Sequence, residues 1–114
     1  MFEKFEKVGK VFRAMITIQK HYILAANLIA TELFKFREFK FAVLFYDREH
    51  KRVGIKLTND KNEKGVIKIR IREKVGALLS IKSFIDYYQL DAYRSKTFEA
   101  FWDPKVKMII FDLQ

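Results

Sequence analysis

The chain has 114 residues, half of them hydrophobic and 12 of them Phe, which suits a single domain with a core of its own. Lys and Arg number 23 against 14 Asp and Glu, a formal charge of +9 that favours polyanionic partners. The absence of Cys excludes a disulfide framework, a thiolate nucleophile and a thiolate metal site. No apolar run approaches the roughly 20 residues needed to cross a bilayer. The acid-containing start MFEKFEKVGK also lacks a signal peptide's apolar stretch, so the expectation is a cytoplasmic protein without a membrane partner.

Residues 1–13 read as an N-terminal arm, with Phe2, Phe5 and Val8 at three-residue steps before Gly9 interrupts them. In MITIQK, Ile16 and Ile18 alternate with Thr17 and Gln19, the period of a strand with one buried face. Ala25, Leu28, Ile29 and Leu33 then fall at helical spacing, and a helix is predicted over residues 24–35. A hairpin follows: Phe41, Val43 and Phe45 alternate with Leu44 and Tyr46, Asp47 starts the turn, and Val53, Ile55 and Leu57 run back. The stretch TNDKNEKG, residues 58–65, is a polar linker. Beyond it IKIRIREK predicts a second strand, with Ile67, Ile69 and Ile71 facing inward. A second helix is expected in LLSIKSFIDYYQLD, capped by Ser83 with Asp86 three residues on. FWDPKVKMIIFDL closes the chain as another hairpin, with Pro104 suited to its turn.

The two hairpins echo each other. With Phe45 set against Phe101 and the spacing held constant, Tyr46, Asp47, Lys51, Val53, Ile55 and Leu57 meet Trp102, Asp103, Lys107, Ile109, Phe111 and Leu113. Ile29 meets Ile85 at the same spacing, whereas the strands match at a slightly shorter one, with Ile16 against Ile69. About three extra residues between strand and helix in the second copy reconcile the two. The reading is an α+β single domain over 1–114. Two tandem strand-helix-hairpin repeats, 14–57 and 66–114, form one pseudo-two-fold barrel or sandwich. The alternative is an ordinary α+β sheet whose hairpins share common turn residues.

The order strand, helix, hairpin, with ITIQKHYILAANLIATEL ahead of YDREHKRVGIKL, resembles the SpoVT–AbrB swapped-hairpin family, here in a tandem, MraZ-like arrangement. The resemblance spans roughly residues 14–57 and 67–113. It implies interleaved units forming one barrel and DNA binding through basic residues at the barrel ends, in transcriptional control or antitoxin roles.

From the residues themselves, Lys68, Arg70 and Arg72 alternate with the isoleucines, and Lys74 continues their face. Cations at i and i+2 on a strand stand about 6.6 Å apart, a spacing that lets them meet successive phosphates. Such a ladder also keeps a strand soluble and blocks edge-to-edge pairing. Lys20 and His21 precede the first helix, and Arg48, His50, Lys51 and Arg52 lie in the first hairpin. Residues 1–57 carry 12 Lys and Arg with 6 acids, the remainder 11 with 8, so charge favours the first half. The candidate nucleic-acid contacts are therefore Lys20, Arg48, Lys51, Arg52, Lys68, Arg70 and Arg72.

Tyr22, Tyr46, Tyr87, Tyr88, Tyr93 and Trp102 are stacking candidates for single strands, though Tyr and Trp also pack at core margins, and the match of Trp102 to Tyr46 favours packing. His21 and His50 are isolated, and no metal-ligand spacing, Gly-rich phosphate loop or nucleophile elbow occurs. The expected function is non-enzymatic, without cofactor or metal: DNA or RNA binding, or alternatively a protein-interaction or antitoxin-like module.

Overall fold

A computed structural model of the chain describes residues 1–2, 13–92 and 94–114. It is an α+β fold with two five-stranded antiparallel sheets and few helices. The first strand, β1 (Met15–Gln19), buries Ile16 and Ile18 as its alternation predicts. Residues expected to be helical do not follow suit. Ile23–Ala26 form strand β2, which pairs with β1 through Ile16 opposite Ala26 and Ile18 opposite Leu24. The helix α1 is confined to Leu28–Leu33. Its start is fixed by Asn27, whose Oδ1 accepts from the Ala30 N–H at 2.8 Å and the Met15 N–H at 3.2 Å while Nδ2 donates to the Arg13 carbonyl. One side chain thus caps the helix and anchors the start of β1.

A 3-10 turn at Phe36–Glu38 buries Phe36 completely and leads into β3 (Phe41–Asp47) and β4 (Arg52–Thr58). Asn59 ties the linker back to the segment ahead of β3, accepting from the Lys40 N–H and donating to the Glu38 carbonyl. The strand expected from IKIRIREK is divided. Ile67–Lys68 form β5 and Arg70–Arg72 form β6, with Ile69 between them. After β7 (Gly76–Ser80) comes α2 (Lys82–Tyr88), and Ser83 is not its cap. Ile81 occupies the cap position without a side-chain bond, and Asp86 pairs instead with Lys82 at 2.6 Å. The chain ends with β8 (Lys96–Glu99), β9 (Phe101–Asp103) and β10 (Met108–Asp112).

The sheet orders are β6-β7-β2-β1-β8 and β5-β3-β4-β10-β9. The chain passes from one sheet to the other through single residues at two corners. Ile69 donates to the Lys40 carbonyl and Ala100 to the Ala14 carbonyl, both at 2.9 Å. One continuous core joins Ile16, Leu24 and Leu79 of the first sheet to Ile55, Ile109 and Phe111 of the second. The Phe98 and Phe111 rings lie 5.5 Å apart within it. The turns of the two closing hairpins are built alike. Asp47 accepts from the Glu49 and His50 N–H groups, Asp103 accepts from the Lys105 N–H, and the last turn residues, Lys51 and Lys107, have φ of 51° and 56°. These are Asx turns, as the sequence predicts for Asp47.

Among the described residues, no helix is long and apolar enough to cross a membrane. The N-terminal arm's Phe5 and Val8, together with Tyr93, lie outside the described residues.

Candidate nucleic-acid interface

The isoleucines around Ile69 turn inward, Ile69 fully and Ile67 and Ile71 in part, so Lys68, Arg70 and Arg72 project outward. β6 is an edge of the first sheet and β5 an edge of the second, so this basic stretch borders both sheets. Among the described residues none of the three cations has a carboxylate partner within ion-pair distance. Arg70 donates to the Ser80 hydroxyl, at 3.3 Å.

Ser80 leads to the next cations. It lies opposite Ile23 in the β2–β7 pairing, and beyond that pair the Ile81 N–H donates to the Tyr22 carbonyl at 2.8 Å. This bond seats the β1–β2 turn, which carries Lys20, on the start of α2. There the Lys82 ammonium sits 5.3 Å above the Tyr22 ring, and its hydrogen bond to Asp86 raises its pKa. Lys82 was not legible as a neighbour of this turn, because its proximity to Tyr22 depends on a contact between residues in opposite halves of the chain, and its charge is met by Asp86.

Arg48 and Lys51 lie toward the other end of α2. The Arg48 guanidinium covers the Tyr88 ring at 4.9 Å, and Lys51 shares a cavity wall with Tyr88. A helix of this length spans about 10 Å, so α2 connects the Lys20 and Arg48 groups. Arg52 stands apart from both. It donates twice to Asp112, at 2.6 and 3.2 Å, and its pKa is raised by that bond first, with Asp47 and Asp103 adding their charges. Its charge is satisfied within the protein.

The aromatic candidates divide likewise. Tyr46 lies 4.8 Å from Tyr88 and 5.9 Å from Phe84, a packed cluster, whereas Tyr87, though 4.8 Å from Tyr88, is 73% exposed. Trp102 departs from the packing expected by its match to Tyr46: it is 47% exposed and has no ring contact among the described residues. His50 bonds Asp47 at 2.7 Å, and this bond is the main cause of Asp47's lowered pKa. With Glu49 they form an exposed cluster whose ligand atoms lie within 4.8 Å, an arrangement explained by the Asx turn. No family model, curated protein or solved structure matches the chain.

Proposed function

We propose that the chain is a non-enzymatic, cytoplasmic nucleic-acid-binding protein. The supporting observation is the unpaired ladder Lys68, Arg70 and Arg72 on the outer side of the β5–β6 edge, continued by Lys20 at the β1–β2 turn. Cations without internal partners are free to displace counterions from phosphates, and Arg adds bidentate geometry. Arg48 and Lys51 extend the surface along α2, while Arg52 braces β4 against β10.

The same proposal includes two homologous halves interleaved about a pseudo-two-fold axis, in the manner of the swapped-hairpin resemblance, with each unit opening on a hairpin rather than a lone strand. Register supports it. Phe45 opposes Gly54 just as Phe101 opposes Ile110, both members of the second pair being displaced by the spacing that relates the two hairpins. Ile18 opposes Leu24 just as Ile71 opposes Ala77, at the shorter spacing that relates Ile16 to Ile69. The corresponding strands β2 and β7 pair with each other, as do β4 and β10.

Titration of duplex DNA, single strands, RNA and heparin at two salt concentrations tests the function. Replacing Lys68, Arg70 and Arg72 by Gln should reduce the slope of log affinity against log salt by up to about 3. Replacing Arg70 and Arg72 by Glu should weaken binding further while keeping the edge charged. Unchanged affinity and slope in both variants reject the interface. The second reading, a protein-interaction module, is favoured by Phe45 and Phe101, each 44% exposed on the outer face of the second sheet. It predicts binding that survives moderate salt.

A further inference from the structure

Beside the edge strand β9 a groove of about 630 Å³ opens between the second sheet and the end of α1. Its apolar lining includes Phe34, Phe39, Leu57 and Trp102. Leu33 and Trp102 remain 63% and 47% exposed there, an unusual cost for two large apolar side chains lining one groove. Among the described residues the only charged ones in the lining are Lys35 and Lys107, and neither forms an ion pair there. Both sit at left-handed backbone positions, φ 61° and 56°, so turn geometry fixes where their side chains begin.

A second cavity shows what this groove lacks. It is lined by Tyr46, Lys51 and Leu113, the positions that the hairpin match sets against Trp102, Lys107 and Leu57. There α2 supplies Tyr88 and Phe84 to pack the Tyr46 ring, and the lining includes an acid, Asp91. At the groove, α1 offers Leu33 in place of an aromatic cluster, and no carboxylate of the described residues enters. Among the described residues, one place is filled by the protein's own rings and the other is open, apolar and positive.

We propose that the groove is a binding site for a small amphiphilic carboxylate, an acyl or aromatic body lying against Trp102 and Leu33 with its head group between Lys35 and Lys107. The volume is within the range of small-molecule sites, and apolar walls with a few charged groups at the rim are their usual chemistry. The charge complementarity selects an anion over a neutral amphiphile. This site goes beyond the nucleic-acid reading and shares no residue with the β5–β6 ladder, so either is testable without the other.

Trp102 is the chain's single Trp, so its emission reports on the groove directly. Decanoate and 1-decanol are titrated into the full chain at low salt while Trp fluorescence is followed. Decanoate should give a saturable blue shift at one equivalent and bind about tenfold more tightly than decanol, the size expected of two partly exposed ion pairs. Lys35→Gln with Lys107→Gln should remove that preference and leave decanol binding unchanged, with far-UV circular dichroism confirming the fold. Equal binding of the two amphiphiles, a preference that survives the lysine substitutions, or no saturable response would overturn the proposal. So would a blue shift that develops with protein concentration alone, which would mean a second copy covers the groove, or a response to oligo-dT and not to decanoate.

Discussion

Thr31 is fully buried, and replacing it by Val isolates the contribution of one hydroxyl to the joint between α1 and β7. Its Oγ1 donates to the Ala26 carbonyl at 3.3 Å and accepts from the Ala77 N–H at 2.9 Å. The β2–β7 pairing ends at Ala25 opposite Leu78, so Thr31 supplies the acceptor that a ladder carbonyl would otherwise provide to Ala77. Val matches Thr in shape, which keeps packing and leaves the Ala77 N–H buried without a partner. The expected loss is about 1–3 kcal/mol. For a chain of 114 residues each kcal/mol corresponds to about 4 °C in melting temperature, giving a fall of about 4–12 °C. Thr31→Ser keeps the hydroxyl and removes a methyl, at a cost of about 1 kcal/mol. Urea unfolding of the three proteins, compared at equal m-value, should rank wild type above Ser above Val. A Val variant within about 0.5 kcal/mol of wild type, the range of an inconsequential surface change, would refute the role given to the hydrogen bond. A Val variant more stable than Ser would do the same.

Gly76 has φ 124°, and an added Cβ would lie on the Ala26 carbonyl oxygen and 2.8 Å from Thr31 Oγ1. Gly76→Ala should therefore cost at least about 3 kcal/mol in urea unfolding, from backbone strain and a forced shift of the β2–β7 seam; a loss below about 1 kcal/mol contradicts this placement. Asp47 titrates below its ordinary value of 3.8 chiefly because of the His50 side-chain bond, so its stabilising effect is full above that pH and disappears as pH falls through the lower folded-state value. The gap in melting temperature between wild type and Asp47→Asn should close on acidification below about pH 3.8, and a gap that stays constant down to about pH 2 would show that the carboxylate's charge contributes nothing.

Local signals that agree with tertiary demand were legible. The alternation in MITIQK places Ile16 and Ile18 in the core, and Asp47 makes the Asx turn its position foretells. Residues 24–27 were not legible, because Leu and two Ala carry helical propensity worth only tenths of a kcal/mol each. Flanking strands on both sides offer that segment ladder hydrogen bonds, and β2 forms between β1 and β7. The partner on one side, β7, comes from the other half of the chain, and no local pattern encodes it. Ser83 failed as a cap for a related reason: β7 ends at Ser80, so α2 begins at Lys82 and its first turn already contains Ser83.

The candidate site follows the same division. Sequence locates positive charge but not the acid that answers it, and Arg52 and Lys68 look equivalent until, among the described residues, Asp112 is seen against one and no acid against the other. The charge that matters to a ligand is what remains after internal pairing, and at the β5–β6 edge that remainder is concentrated on neighbouring outward positions. An edge needs charge of either sign to resist strand addition, whereas phosphate needs positive charge alone. Positive side chains at 68, 70 and 72 meet both demands, so the ladder's geometry fits a guarded edge and a phosphate-binding surface alike, and the salt slope of the Gln variants is the measurement that separates them.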